Sequence, residues 1–580
     1  MRARRNGVLA AGAVAAAALV VAATAALFVL SRGRWSDPLI DSGREWIVPD
    51  ALARGELLYR DVVYWFGPLT PYLQAVFLKA FGSGMGSLVV AGAVSAVLVL
   101  AVLFGVLRRV TGRVEAALWT ALAIPALVFM PNAGGALLGM GYRIWHAAGF
   151  TLAAVALASA APRRGARLLL PAAAGLCAAL AGLCRLEWGL AALAASALAC
   201  LVRSRKRRAG SLDAVAAVAA GGLVLAAGLG HFVWHAGWDA VVREGHVLLT
   251  GLPPETRHFL VAFSGVRDWP AGVLEACYSA ATWAGLTLAA ALIASRPGRR
   301  RRRVLTALVA TLVVLAVSAL AGGAGSAVVF SAAPLVSLAG LGAGLARRRG
   351  SAAAALASCG ALGLVLSYRR PFHIGDSAYV GPPVLFAFVC AAGLLHLAAF
   401  RALDASDRRR MTFAFRSLVA ALAVVAFAAR VWQYRSIEAV PIAGTDGMLS
   451  ARPEMAREIE ELAAAVRSGT RDGDGLVAFP EGEVLNLLSG RRNPIRHKLY
   501  LPGYLTDANE GAVLAELESA QPAAIVIWNR PTSEYNRAAF GEDYGRSIRA
   551  WVEERYRLQP FRPSGTPMRA HPRFMVAWRR

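Results

Sequence analysis

Pro38-Leu39-Ile40-Asp41-Ser42-Gly43-Arg44-Glu45-Trp46 stands directly after the first long apolar segment of this chain. Two further polar and aromatic stretches follow it, Gly55-Glu56-Leu57-Leu58-Tyr59-Arg60-Asp61 and Gly67-Pro68-Leu69-Thr70-Pro71-Tyr72-Leu73. Asp41 and Glu45 lie only a few residues beyond the apolar segment. If that segment spans a membrane, their carboxylates are held at the boundary between lipid and water. The rest of the sequence shows whether it does.

Apolar residues dominate the composition. Of 580 residues, 57% are hydrophobic and 17% are charged, and many apolar runs are long enough to cross a bilayer core of roughly 30 Å. The chain is therefore predicted to be an α-helical polytopic membrane protein. The formal net charge of +26 comes from arginines in short clusters between the apolar runs, a pattern that sets orientation in a membrane. We therefore expect no nucleic-acid partner.

Apolar runs of about 17 to 25 residues predict about thirteen transmembrane helices. The first run is expected to be a retained span, because it exceeds the roughly 7 to 15 apolar residues of a signal peptide. The two runs within 168–202 are joined by so short a turn that two spans and one re-entrant hairpin both stay open. The predicted spans are 8–30, 87–107, 114–130, 143–161, 168–184, 186–202, 211–231, 274–294, 304–321, 327–346, 351–367, 384–400 and 413–433.

The basic clusters all fall on one side when these spans are threaded alternately, which places the N-terminus in the cytoplasm and the C-terminus outside. The chain then divides into a transmembrane domain, residues 1–433, and a soluble domain on the outer side, residues 434–580. Residues 31–86 form the first outward loop. Within it, Arg44–Leu58 and Leu69–Phe81 have the spacing of interfacial helices that lie along the membrane surface.

The tail after residue 434 is rich in charged and turn-forming residues, and its helical and strand-like patterns alternate. This alternation predicts a small α/β layer. The expected helices are 454–467, 483–488, 510–519 and 544–556, and the expected strands are 475–479, 523–528 and 574–578.

The first-loop pattern around Asp41, Gly55–Asp61 and Gly67–Tyr72 resembles the start of GT-C superfamily membrane glycosyltransferases. The similarity is greatest to the family 39-type branches that are protein O-mannosyltransferase-like and lipid A aminoarabinose transferase-like. The tail is similar to the extracytoplasmic domain of some bacterial members, in Phe479-Pro480-Glu481-Gly482, Ser489–Pro494 and Phe540–Tyr544. The resemblance implies a multi-pass protein of the bacterial cytoplasmic (inner) membrane.

The resemblance also implies a reaction: transfer of a sugar from a polyprenyl-phosphate carrier to a glycan, lipid or protein acceptor on the outer face, usually with inversion. Asp41 matches the catalytic carboxylate of the family, and a carboxylate there can take the proton of an attacking hydroxyl. The alternative is that Asp41 caps the helix that follows. Glu45 is the second candidate base, with an exposed helix charge as its alternative. Asp61, with Tyr59 and Arg60, is a candidate for positioning the acceptor, against a plain salt bridge to Arg60.

The leaving group of such a reaction is a lipid phosphate, which favours guanidinium donors at the membrane boundary. Arg369 and Arg370 stand out because they lie on the outer side, against the positive-inside trend, although headgroup anchoring is an equal alternative. Lys79 is a further candidate, with snorkelling as its alternative. The full set of phosphate candidates is Arg369 and Arg370 with His373, Arg143 with His146, Arg257 with His258, and Lys79.

The sequence departs from the family pattern in two respects: Asp41 is followed by Ser42 instead of a second acidic residue, and the outward loop 131–142 carries no carboxylate. No set of residues has the spacing of a metal site, so no cofactor is expected, although a divalent cation held by Asp41 and a phosphate stays open. Two other functions also stay open: a transporter or flippase for a lipid-linked or anionic solute, and a non-catalytic protein of envelope assembly.

Overall fold

The computed structural model describes residues 2–131, 135–138, 142–161, 167–204, 207–246, 251–264, 266–294, 331–347, 349–367, 381–401, 405–564 and 572–580. Long apolar helices make up most of it, and a small sheet lies near the C-terminus. Within these described ranges, six helices are long and apolar enough to cross a membrane: 14–31, 85–110, 186–203, 208–236, 381–398 and 408–436. The protein is therefore a multi-pass membrane protein, as the composition predicts.

Twelve of the thirteen predicted spans correspond to helices in the described ranges, and the predicted span 304–321 lies outside them. The helices are α1 Arg2–Ser31, α2 Gly43–Ala53, α3 Leu69–Phe81, α4 Met85–Val110, α5 Arg113–Ala123, α6 Tyr142–Ser159, α7 Leu169–Cys184, α8 Leu186–Arg203, α9 Arg207–Ala236, α10 Pro254–Ser264, α11 Trp269–Ala294, α12 Ala333–Ala346, α13 Ser351–Leu366, α14 Gly381–Arg401 and α15 Ala405–Ser436.

The segment 168–202 is a pair of helices, α7 and α8, joined at the single residue Arg185. The two helices pack closely at Gly182 and Gly189, where a Cβ added to Gly189 would lie 2.3 Å from the Gly182 Cα. Small residues of this kind allow helix backbones to approach each other within a membrane. At about 1.5 Å per residue, α7 is only about 24 Å long.

The first loop begins with a π-helical turn, Pro38–Ser42, that runs directly into α2. Asp37 caps this turn, because its side chain accepts hydrogen bonds from the backbone amides of Leu39 and Ile40. Asp41 lies inside the continuous helical segment, so it is not the helix cap.

The helix α2 departs from its predicted form in two ways. It ends at Ala53 instead of Leu58, because Gly55 adopts a φ of 102° that an α-helix cannot continue. It also lacks the exposed face of an interfacial helix, since nine of its eleven residues are buried. By contrast, α3 matches its predicted bounds and exposes Val76, Lys79 and Phe81 on one side.

The tail contains a four-stranded sheet of order β3-β4-β6-β5 and a short antiparallel pair, β1 with β2. β3 and β4 are parallel, with Leu476 opposite Ala524, whereas β6 is antiparallel to both β4 and β5. The strands are β1 Val440–Pro441, β2 Ser450–Ala451, β3 Leu476–Phe479, β4 Ala524–Trp528, β5 Tyr556–Phe561 and β6 Phe574–Arg579, and the helices are α16 Pro453–Gly469, α17 Val484–Ser489, α18 Glu510–Ala520 and α19 Arg546–Arg555.

Each predicted tail element is present within a few residues, but the strands β1, β2 and β5 have no counterpart among the predicted elements. The helix expected over 544–556 begins at Arg546 and ends at Arg555, and the chain enters β5 at Tyr556. β5 pairs only with β6, so it is an edge strand, and Pro560 is tolerated there. A proline in a short polar run weakens the strand pattern in the sequence.

The tail packs directly on the first loop. Arg496 donates to the backbone carbonyls of Tyr59 at 2.9 Å and Arg60 at 2.8 Å, and the Val63 amide donates to the Arg496 carbonyl at 3.1 Å. The rings of Trp65 and Tyr504 stack with centroids 3.8 Å apart. These contacts include side-chain and backbone hydrogen bonds and a stacked pair of rings. Together they hold the tail against the first loop, at the end of the helix bundle.

Gly43→Ala is expected to weaken this packing. A Cβ at position 43 would lie 2.2 Å from the amide nitrogen of Val484, so α2 and α17 would have to separate. We expect a loss of about 2 kcal/mol, typical of overpacking. Thermal unfolding of the purified protein in detergent measures it. Gly511→Ala is the matched control, because that glycine lies in α18 with open space around it, and there alanine should leave stability unchanged or raise it.

Candidate active site

Asp41 is buried at the junction between the helix bundle and the tail, with 8% of its surface exposed. Its Oδ1 atom lies 2.9 Å from Nη2 of Arg44, one helical turn further along. Burial raises the pKa of the Asp41 carboxyl to about 6, and the Arg44 guanidinium opposes this rise. A carboxylate with a pKa near neutrality is well matched to taking a proton at physiological pH.

Glu45 occupies the next turn of the same helix and pairs with a different arginine. Its Oε1 atom lies 3.4 Å from Nη1 of Arg143, the second residue of α6, and both side chains are buried. The Arg143 guanidinium also lies over the Phe66 ring, 3.9 Å from its centroid. The first loop and the first turn of α6 are thereby joined by an ion pair and a cation–π contact.

A cleft, here called the catalytic cleft, opens beside these ion pairs and contains about 490 Å³ of space, its mouth included. Arg44 and Arg143 line it, whereas Asp41 and Glu45 lie directly behind these two arginines. Its walls combine cationic and aromatic side chains from both the first loop and the tail: Arg44, Val48, Val63, Tyr64, Trp65, Phe66, Arg143, His497, Lys498, Leu499 and Tyr504.

Two further carboxyl groups, Glu481 and Glu483, reach this cluster from the tail. Each is 1% exposed, and both feel the charges of Arg44 and Asp41. Both oxygens of Glu481 and Oε1 of Glu483 are buried without a hydrogen bond to any described residue, and the closest cation to Glu481 is Arg530 at 3.4 Å. Burial raises the pKa of Glu483 to about 7 and that of Glu481 well above its usual range.

Glu481 belongs to the part of the tail that resembles the family, but the sequence pattern does not place either glutamate in the site. A signal was present, because two carboxylates follow immediately after the buried strand β3, at its carboxyl end. The expectation that loop 131–142 lacks a second carboxylate still holds for the sequence. In the structure, additional carboxyl groups near Asp41 come from the tail instead.

The positioning candidates Tyr59, Arg60 and Asp61 do not line the catalytic cleft. Asp61 accepts hydrogen bonds from Nε and Nη2 of Arg60, at 2.9 and 2.8 Å, and from the Leu57 amide. Tyr59 is buried, and its hydroxyl donates to the Phe66 carbonyl at 2.5 Å. Tyr59 therefore shapes the loop that carries Phe66, and the Arg60–Asp61 pair lies in a neighbouring cavity.

Of the described phosphate candidates, Arg143 alone lines the cleft. Lys79 and Arg257 are exposed and lie elsewhere, on α3 and α10. His146 is buried between Thr70 and Ser95, and His258 contacts Arg267. Three further candidates, Arg369, Arg370 and His373, lie outside the described residues. Arg44, Lys498 and His497 join Arg143 in the cleft, although the sequence did not single them out.

The arrangement of possible ligand side chains bears on whether the described residues form a metal site. Within the described ranges, no group of three or more histidine, cysteine, aspartate or glutamate side chains is arranged to hold a metal ion. Asp41 and Glu45 each pair with a different arginine instead.

Comparison with known proteins gives matches at the level of structure. A scan against protein-family models finds no match, and a search of curated proteins finds none either. ArnT from Cupriavidus metallidurans matches in the apo state, at 13% identity and a TM-score of 0.52 over 98% of both chains. Its undecaprenyl phosphate complex matches at 14% identity and a TM-score of 0.52 over 97% of both chains.

A second solved protein matches over most of the chain. The archaeal oligosaccharyltransferase AglB from Archaeoglobus fulgidus, in complex with an inhibitory peptide and a dolichol-phosphate, shares 14% identity and a TM-score of 0.50. The match covers 95% of this chain and 73% of AglB. ArnT and AglB are GT-C glycosyltransferases, and the chain therefore has the GT-C fold of polytopic membrane glycosyltransferases.

Proposed function

We propose that the protein is a glycosyltransferase that moves a sugar from a polyprenyl-phosphate carrier to an acceptor on the outer face of the bacterial cytoplasmic membrane, with inversion. One observation carries the proposal: Asp41, a buried carboxylate with a pKa near 6, lies behind a cleft lined by Arg44 and Arg143 at the mouth of the helix bundle. A lipid-borne phosphate and a water-soluble acceptor can meet at such a boundary.

The lipid class is supported by the ligands bound in the matched structures. ArnT was solved with undecaprenyl phosphate and AglB with a dolichol-phosphate. Both are polyprenyl phosphates. Arg44 and Arg143 supply the guanidinium groups that such a phosphate requires.

The reaction follows from the positions of these groups. The acceptor oxygen forms a bond to the anomeric carbon while its proton passes to Asp41. The bond between that carbon and the phosphate oxygen breaks, and its electron pair leaves on the phosphate, where Arg44 and Arg143 stabilise the charge. Because the phosphate competes with Asp41 for Arg44, donor binding also frees the Asp41 carboxylate from its ion pair.

Release of free polyprenyl phosphate tests the proposal. The purified full-length protein is incubated with a panel of polyprenyl-phosphate sugars and a membrane extract that supplies acceptors, with and without a chelator. Release from at least one donor supports the transferase and identifies the sugar, and the chelator arm tests metal dependence. If the protein binds the lipid-linked sugars but releases free polyprenyl phosphate from none of them, a transporter or a non-catalytic protein replaces the proposed transferase.

Arg143→Lys is expected to weaken binding of polyprenyl phosphate about tenfold, since lysine cannot form two parallel bonds to a phosphate and loses the planar contact with Phe66. A binding assay with undecaprenyl phosphate in detergent measures the dissociation constant. Arg557→Lys, at an exposed position of β5, is the control and should bind as the wild type does. Equal affinity in both variants would contradict the assignment of Arg143.

A further inference from the structure

A second cavity, here called the junction cavity, lies between the first loop and the tail and contains about 830 Å³, its open mouth included. Six charged side chains line it: the carboxylates of Glu56 and Asp61 and the cationic groups of Arg60, Arg492, Arg496 and Lys498. The lining therefore carries two more positive than negative groups when lysine is protonated.

Both carboxylates already have cationic partners. Asp61 is held by Arg60 at 2.8 Å, and Glu56 lies 3.3 Å from Nη2 of Arg54. Arg496 is also engaged, because it donates to two first-loop carbonyls and lies 3.3 Å from Glu244.

Arg492 and Lys498 are in a different position. The exposed side chain of Arg492 forms no ion pair with any described residue. The Lys498 ammonium is 5% exposed and donates to the carbonyls of Asn493 at 2.9 Å and Ile495 at 2.5 Å. Its closest carboxylate oxygen, on Glu56, is 4.0 Å away. Carbonyl groups do not neutralise a buried ammonium, and Glu56 is shared with Arg54, so an anion in this cavity would complete the neutralisation of Lys498.

The location of Lys498 connects the junction cavity to the chemistry. Lys498 also lines the catalytic cleft, so this one side chain borders both spaces. The catalytic cleft has aromatic walls and begins at the first turn of α6. The junction cavity is lined by charged residues and glycines of the tail, and this polar lining suits a hydrophilic partner.

We propose that the junction cavity is the acceptor subsite and that it takes an anionic saccharide, one that carries a carboxylate or a phosphate group. The assignment as acceptor subsite rests on the proposed glycosyltransferase function. The anion is bound by Arg492 and Lys498, and the sugar hydroxyl is presented toward the catalytic cleft.

Binding of three probes to the full-length protein in detergent tests the charge requirement: glucuronic acid, glucose 6-phosphate and neutral glucose, followed by saturation-transfer NMR. Both charged probes, or one of them, should bind at least tenfold more tightly than glucose, and added salt should weaken that binding. The better charged probe identifies the group as carboxylate or phosphate. Glucose binding as tightly as the charged probes overturns the proposal.

Arg492→Gln locates the site, since this exposed residue can be replaced without disturbing the core. The variant should bind the charged probe about tenfold more weakly, while Arg557→Gln, an exposed control in β5, should bind as the wild type does. Unchanged binding in Arg492→Gln overturns the site.

The inference and the proposed function fail in different ways. If the wild type releases polyprenyl phosphate but binds charged and neutral probes equally, the anionic subsite is overturned. The proposed transferase function is then still supported. If the charged probes bind in a way that depends on Arg492, but no donor releases polyprenyl phosphate, the anion site is supported. Its assignment as an acceptor subsite is then overturned.

Discussion

Asp41→Asn lowers the rate of polyprenyl-phosphate release by about 10³-fold, if Asp41 is the base of the reaction. General-base catalysis contributes roughly 10² to 10⁴ in rate, and asparagine keeps the shape of the side chain but cannot take a proton. The change also removes the ion pair with Arg44 at 2.9 Å, so Arg44 stays available to the phosphate. Donor binding should therefore be retained while turnover is lost.

The pH profile separates this role from a structural one. Because burial raises the pKa of Asp41 to about 6, the wild-type kcat/KM should rise between pH 5 and pH 7 as the carboxyl loses its proton, and the residual activity of Asp41→Asn should lack this rise. Asp268→Asn, an exposed aspartate directly before α11, is the control and should keep the wild-type profile. Normal turnover in Asp41→Asn would remove Asp41 from the mechanism.

Glu483→Gln is expected to stabilise the protein at pH 8. The pKa of Glu483 is raised by burial from 4.5 to about 7, so the folded state binds this proton more tightly than the unfolded state does. The stability that this proton contributes is complete below about pH 4.5 and is lost as the pH rises through about 7. A shift of this size corresponds to about 3 kcal/mol lost from this group across that window. Glutamine does not titrate, so the Glu483→Gln variant should not lose this stability as the pH rises.

Thermal unfolding midpoints in detergent, measured at pH 5 and pH 8, check this expectation. From pH 5 to pH 8, the unfolding midpoint of the wild type should fall by more than the midpoint of Glu483→Gln does. At pH 8 the variant should be the more stable of the two proteins. Glu518→Gln, on the exposed side of α18, is the control and should follow the wild type. A fall in midpoint that is the same in Glu483→Gln and the wild type would show that Glu483 has an ordinary pKa in the folded protein.

The two glutamates belong to a buried cluster of charged groups that lowers the stability of the fold. Glu481, Glu483 and Asp41 all act on Arg44, and their carboxyl groups are removed from water. Such an arrangement lowers stability but raises the pKa of the carboxyl groups toward the range in which they exchange protons at neutral pH. Active sites commonly combine lower stability with chemistry in this way.

Local patterns in the sequence were sufficient for the elements of the fold. The apolar runs predicted twelve helices that the described ranges contain, and helix and strand patterns predicted the tail apart from the strands β1, β2 and β5. These predictions succeed because hydrophobicity and backbone propensity act over a few residues. The same patterns could not show that α2 is covered by the tail, since burial of its second face depends on α17, over 400 residues away.

The sequence by itself determined a multi-pass membrane protein with an α/β tail and placed Asp41 and Glu45 in the loop that follows the first apolar helix. The tertiary structure alone decided which distant charges act on each other: Glu45 with Arg143, Arg44 with the tail glutamates, and Lys498 between two cavities. The physical reason is that an ion pair depends on distance in space and on exclusion of water. Neither is encoded in the spacing of residues along the chain.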